Sequence, residues 1–243
     1  FSRGDGLRAA RAAGAAVDGG DKFLCTFAGF LEKADDPRSG NFLALSPHAR
    51  KVWEIFVDGS GRRFMQEDHP SIDYRERSLL RQKGMRMFAI LDHGILQNAA
   101  AMTLDAPADY KARFGRHPAF VKAKTLAELA RKLDMPVANL RRTVADYNRA
   151  VDARLDRRWG KQFLIRRIER APFYAIRAQG ITVLSPCGLR VDRQLRVLRP
   201  SGRPIPNLYA AGEVLGFERT SGDAFVGGLS LTPALAFGKL LGE

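Results

Sequence analysis

A short apolar run near the C-terminus, Leu208-Tyr209-Ala210-Ala211, ends in Gly212 and Glu213. A glycine-rich stretch follows, passing through Gly227-Gly228, and then an apolar periodic segment runs from Ser230-Leu231 to Phe237-Gly238. This order predicts strand, loop and helix. It places the Glu213 carboxylate at a strand's carboxyl end and the backbone N–H groups of Ser230 and Leu231 at a helix start. Cofactors with polyol chains and electron-rich ring edges are held at such places in open α/β sheets.

The rest of the composition narrows the class. At 243 residues the chain is long enough for a sizeable core in one or two domains. There is no apolar run of about 18 residues, so no transmembrane helix is expected, and the first residues have no signal-peptide pattern. Cys25 and Cys187 are far apart and form no Cys-x-x-Cys motif. Two buried thiols in a reducing compartment, the cytoplasm, are expected, with no disulfide framework and no metal site. The net charge of +14 would by itself suggest nucleic acid or an acidic surface. The arginines are scattered, however, and their densest places, Arg62-Arg63, Arg141-Arg142, Arg157-Arg158 and Arg166-Arg167, carry no nucleic-acid motif. No nucleic-acid role is expected, and an anionic substrate or acidic partner accounts for the same charge.

Several elements are legible. Asp5 is placed to cap an Ala-rich helix that begins at Leu7. Val52–Val57, the turn Asp58-Gly59-Ser60-Gly61 and Arg63-Phe64-Met65 predict a β-hairpin. Tyr74–Leu80 predicts a helix and Met87–Asp92 a buried strand. Thr125 and Glu128 form a capping box ahead of a helix. Pro136 opens another helix, with Leu140, Val144 and Tyr147 on one face. Ala171–Ile176 and Gly188–Asp192 predict further strands, and Gly202–Pro206 a turn before the last one.

The C-terminal stretch resembles the flavin-binding segment of the flavoprotein family that includes fumarate reductase, succinate dehydrogenase, tricarballylate dehydrogenase and 3-ketosteroid dehydrogenase. Leu208 to Glu213, Gly227-Gly228, Ser230-Leu231 and Phe237-Gly238 occupy the places of the family's motif. Gly4-Asp5-Gly6, Arg62-Arg63-Phe64-Met65-Gln66-Glu67, Thr125–Leu133 with Tyr147-Asn148, and Ala171-Pro172-Phe173-Tyr174 resemble family segments in the same order. The likeness covers most of the chain and is weakest over about residues 95–118.

The resemblance implies FAD as cofactor. Glu213 would bond ribityl hydroxyls, and the Ser230 and Leu231 amides would face the N1/O2 edge of the isoalloxazine. Gly212 and Gly228 would line the same site, and Asp5 would lie near the cofactor. The implied fold is α/β: a partial Rossmann-like FAD-binding domain in residues 1–30 and 183–243, with an inserted α+β cap, or substrate, domain in 31–182. Family members also carry a Gly-x-Gly-x-x-Gly turn for the cofactor's pyrophosphate, and none is found here. The chain is therefore expected to be the later part of such a flavoprotein, inactive alone, with weak FAD binding or none.

The resemblance also implies a dehydrogenase or reductase that moves hydride between a substrate C–C bond and flavin N5. Ser71 stands at the place of the fumarate reductases' proton-donor arginine, Leu184 at that of a substrate-clamping histidine, and Phe225 at that of a clamping arginine. All three are uncharged, so fumarate and succinate are not the expected substrates. A small anionic or apolar substrate remains open, as does an electron-transfer partner. Candidate acids and bases nearby are His69, Tyr74, Arg75 and Arg77, and Arg219 is a candidate contact for an anionic substrate. Cys187, at a family glycine position, reads as packing. The rival reading is a non-catalytic folded or binding module derived from such a flavoprotein.

Overall fold

The computed structural model describes residues 3–22, 25–34, 36–217, 219, 228 and 230–243. The chain divides into two compact units, Phe1–Leu24 with Thr182–Glu243, and Cys25–Ile181. The expected boundary after residue 30 moves back to 24 for a physical reason. Strand β2 (Thr26–Leu31) is hydrogen-bonded to β7 (Phe173–Ile181) of the second unit, with Thr26 opposite Ile181 and Gly29 opposite Gln179.

In the first unit α1 (Asp5–Ala12) is followed by β1 (Val17–Asp18), and later by β8 (Gly188–Leu189), β9 (Arg196–Leu198) and β10 (Pro204–Tyr209). β1 pairs antiparallel with β8, and β9 with β10. A 3₁₀ turn at Gly212–Leu215 and helix α7 (Leu231–Gly242) complete it. The core is small: Ala10, Leu189, Leu195, Val197, Ile205, Ala210 and Leu215, with Phe237 of α7 packed against it. Gly188 is there by necessity. A Cβ at this position would lie 1.9 Å from the Leu215 carbonyl carbon, so only glycine lets β8 run this close to the 3₁₀ turn.

In the second unit β2 leads to β3 (Gly40–Phe42), β4 (Ile55–Val57), α2 (Ile72–Leu80), β5 (Arg86–Asp92), α3 (His93–Asn98) and α4 (Pro107–Arg113). β6 (Phe120–Ala123), α5 (Leu126–Lys132), α6 (Val137–Asp152) and β7 follow. β7 is central. β5 lies along one edge, and β6 and β2 share the other, β6 beside Phe173–Ile176 and β2 further on. β4 extends the sheet beyond β5 and β3 beyond β2. The apolar run from Met87 to Leu91 is buried throughout, as a strand covered on both faces requires. Asp92 ends that strand and caps α3: its Oδ1 accepts from the Ile95 amide at 2.8 Å, and its Oδ2 from the amides of Glu169 and Arg170 at 3.0 and 2.7 Å. Leu140, Val144 and Tyr147 form the buried face of α6. Among the described residues no helix is long and apolar enough to cross a membrane.

Four expectations differ in detail. Gly4, in the left-handed region at φ 72°, takes the N-cap position of α1, and Asp5 is the first helical residue, paired with Arg8. The hairpin at 52–65 shrinks to one bridge, Val57 with Arg63, because β4 forms its ladder with β5 and the Arg63 side chain turns inward to buried carboxylates. Cys25 is a buried free thiol, but Cys187 is only half-buried. The capping box also differs slightly: Thr125 accepts from the Glu128 amide at 3.1 Å, while Glu128 reaches back to the Lys124 amide at 2.8 Å.

Candidate functional site

The candidate cofactor residues lie in the first unit. β10 delivers the chain to Gly212, whose φ of 78° turns it into the 3₁₀ segment that carries Glu213. This segment packs on α7: a Cβ at Gly212 would be 3.6 Å from the Cβ of Ala234, one turn into the helix. Glu213 and the start of α7 are therefore neighbours. The helix begins at Leu231 with Ser230 at its N-cap position, and among the described residues no side chain caps it. Gly228, at φ 91°, leads in, and its carbonyl accepts from the Thr232 amide at 2.9 Å. Ser230, Leu231 and Glu213 are exposed, and among the described residues the Glu213 carboxylate makes no ion pair. A helix N-terminus has unpaired amides and a positive end, and both suit an electron-rich ring edge. An unpaired carboxylate beside it suits hydroxyl donors. The residues present thus fit the ribityl and isoalloxazine parts of FAD.

The other candidates of this unit are placed differently. Asp5 is exposed and engaged by Arg8. Arg219 is bound to Asp18, which also takes two hydrogen bonds from Arg190, at 3.0 and 2.7 Å. Bonding to Arg190 outweighs burial and holds the Asp18 carboxyl below its ordinary range. The Arg219 guanidinium is thus committed to a carboxylate of its own chain. Gly227 and Phe225 lie outside the described residues.

The candidate acid–base groups lie in the second unit, around the start of α2. Ser71 caps this helix, accepting from the Tyr74 amide at 3.2 Å. His69 stacks on Tyr74, with ring centroids 4.1 Å apart, and its Nδ1 accepts from the Ser71 amide at 3.1 Å. That acceptor role leaves the proton of a neutral ring on Nε2. The Tyr74 hydroxyl accepts from the Gln66 amide at 3.2 Å. Arg77 is exposed and paired with Asp73 at 2.8 Å.

Arg75 is the unusual member. It is only 2% exposed, yet among the described residues it forms no salt bridge, and Glu76 acts on it only through its charge. Its guanidinium makes three long contacts of 3.4 Å, to the carbonyls of Ser71 and Leu45 and to the Ser46 hydroxyl, and it lies 5.5 Å from the centre of the Phe27 ring. Burial pulls its pKa below the ordinary arginine value. Such a guanidinium is weakly held for a buried cation. The structure thus brings His69, Tyr74 and Arg75 together around Ser71.

One feature escaped the sequence. A buried charge network underlies the Arg63 motif: Arg63 meets Glu67 and Asp156, and the buried Lys161 stands 3.8 Å from Glu67. Arg63 and Glu67 are four residues apart outside any helix, and Asp156 and Lys161 come from a distant loop. The only local hint was a charged pair flanking the apolar Phe64-Met65.

Comparison with known proteins follows the same lines. Residues 1–223 match the sequence family described as FAD binding domain. The chain is 33% identical over 244 residues to the NADH:acrylate oxidoreductase of Vibrio harveyi, covering 99% of this chain and 22% of that protein. It is 29% identical over 231 residues to the vinyl phenol reductase of Lactiplantibacillus plantarum, covering 86% and 46%. Among solved structures it is similar to the open conformation of a flavocytochrome c3 fumarate reductase, with a TM-score of 0.65, 26% identity, and coverage of 99% and 39%. The chain spans less than half the length of each of these relatives.

Proposed function

The chain belongs to the FAD binding domain family, the flavoprotein superfamily of fumarate reductase and succinate dehydrogenase, and we propose that it serves an FAD-dependent oxidoreductase acting on a substrate C–C bond. FAD is the cofactor of this family. Bound flavin supplies a hydride acceptor or donor at N5. The chain's own residues do the rest.

The observation that carries this reading is the packing of the Gly212–Leu215 turn on the first turn of α7. It supports a shared site for the Glu213 carboxylate and the Ser230 and Leu231 amides, which start a helix with no side-chain cap among the described residues. In our reading Glu213 accepts hydrogen bonds from the ribityl hydroxyls. The two amides and the helix's positive end favour negative charge on the ring edge they face. Gly212 and Gly228, both at positive φ, bring the backbone close.

For the substrate proton we assign Arg75 first. It lies one helical turn after Ser71, the position where fumarate reductases carry their donor arginine, and its Nε bonds the Ser71 carbonyl. Burial disfavours its charged form against the weaker pull of Glu76, which is the property a proton donor needs. Tyr74 serves as a second donor, and His69, stacked on Tyr74 and bonded to the Ser71 amide, holds the loop.

We also propose that these 243 residues alone bind FAD weakly. They hold no Gly-x-Gly-x-x-Gly turn for the pyrophosphate, and the exposed leucines of α7, Leu231, Leu235 and Leu240, give the helix little support beyond Phe237. The test is to mix the purified chain with excess FAD and record flavin absorbance after gel filtration. Weak binding leaves the protein peak colourless. A stoichiometric yellow complex overturns this part of the proposal.

A further inference from the structure

We propose that an arginine-lined cleft in the second unit binds a small anion carrying several phosphate groups. The cleft has a volume of about 580 Å³ and lies among the turn after β4, helix α6 and the loop after α6. This size falls in the range of small-molecule sites, roughly 300–1,000 Å³. Among the described residues six arginines line it, Arg62, Arg63, Arg142, Arg149, Arg157 and Arg158, against two carboxylates, Asp146 and Asp156. The lining therefore carries four net positive charges.

The two acids are already taken. Asp146 pairs with Arg149, and Asp156 with Arg63. Arg62, Arg142 and Arg157 are exposed and make no ion pair among the described residues. Arg158 lies over the Trp159 ring at 5.6 Å, still with no carboxylate. Four uncompensated guanidinium groups around one concavity repel each other, and a multivalent anion relieves that repulsion. Planar guanidinium groups match phosphate oxygens two at a time.

The walls are fixed beforehand. Asn139 donates to the Ser60 carbonyl at 2.9 Å, and Thr143 to the Gly61 carbonyl at 2.8 Å, so the turn is tied to α6. Gly61, at φ 76°, lets the turn approach: a Cβ there would sit 3.2 Å from the Leu140 nitrogen. The Arg63–Asp156 pair, 2.8 Å and buried, ties the turn to the following loop. Trp159, Leu155 and Ala150 add an apolar side on which a flat base would pack.

The experiment is calorimetric titration of the protein with inorganic tripolyphosphate and, separately, with ATP, at about 0.15 M salt. The proposal predicts saturable one-site binding of at least one of these. If the two bind alike, the site reads phosphate alone; tighter ATP binding adds the base. The double variant Arg142→Glu/Arg157→Glu, both exposed positions, weakens that binding by at least about tenfold. Arg81→Glu makes the same kind of charge change at an exposed position outside the cleft and changes affinity by less than about twofold. No saturable binding by the unmodified protein, an equal loss in Arg81→Glu, or binding of poly-glutamate but neither phosphate probe overturns it. None of these readouts depends on flavin.

Discussion

Arg63 grips Glu67 through two parallel hydrogen bonds of 2.6 Å, from Nε and Nη2 to the two carboxylate oxygens, and both side chains are buried. Burial works against the charge on Arg63, but Glu67 and then Asp156 outweigh it and hold the pKa above the ordinary arginine value. Lys161 completes the group. Its Nζ donates to the carbonyls of Val52 and Glu54 at 2.8 and 3.0 Å, while burial pulls its pKa down. The network joins β4, the turn after it and the loop after α6. Removing one partner leaves an unpaired buried charge. Glu67→Gln should therefore destabilise the second unit by about 3–5 kcal/mol. Arg63→Met with Glu67→Leu should cost clearly less than the two single changes added together. Urea unfolding followed by tryptophan fluorescence reads this unit selectively, since Trp53 and Trp159 are the two tryptophans and both lie within it.

Glu76 gives a pH signature. It is 6% exposed, and burial pushes its carboxyl from 4.5 up to about 7, against the weaker pull of the Phe27 backbone and of Arg75. The folded state then holds the proton more tightly than the unfolded chain. Its stabilising contribution is full below about pH 4.5 and is lost as pH rises through about 7. The loss is on the order of 3 kcal/mol. Glu76→Gln should flatten the stability profile across this window, and its advantage over the unmodified protein should grow from pH 5 to pH 8. Unfolding midpoints at several pH values measure it.

Gly188→Ala should damage the first unit. The added methyl would meet the backbone of Leu215 and Gly216 at about 2 Å, and backbone does not move aside cheaply. A cost of at least about 2–3 kcal/mol is expected. Limited proteolysis should then cut within residues 182–217 sooner than in the unmodified protein.

Arg75→Gln separates chemistry from cofactor binding. Arg75 is in the second unit and the flavin candidates are in the first. In an FAD-loaded enzyme containing this chain, turnover should fall by about 10² or more, with flavin affinity unchanged. Equal turnover would remove Arg75 as donor and leave Tyr74 and His69.

Much of the fold was legible because its signals are local. Thr125 and Pro136 mark helix starts through capping and φ restriction, and Met87–Leu91 marks a buried strand through an unbroken apolar run. What escaped depends on distant partners. Asp5 looked like a cap, but Gly4 can adopt the left-handed geometry that the cap position takes here, so Asp5 moved into the first turn. Strand β2 falls in the second unit only because β7, about 150 residues later, supplies its partner. Arg219 looked available for a substrate, and Asp18, from the other end of the chain, holds it. At the candidate flavin site the order of turn and helix was readable from Gly212, Glu213 and Ser230. The packing of the Gly212 turn on α7 required coordinates.

In our proposal Glu213 and the start of α7 grip the flavin. The most direct measurement is a titration of the isotopically labelled chain with FAD, following backbone amide NMR shifts, which detects weak binding. The account predicts saturating shifts at Gly212, Glu213, Ser230 and Leu231, reduced in Glu213→Gln. Flavin-dependent shifts confined to other residues, with these four unmoved at saturating FAD, would contradict it.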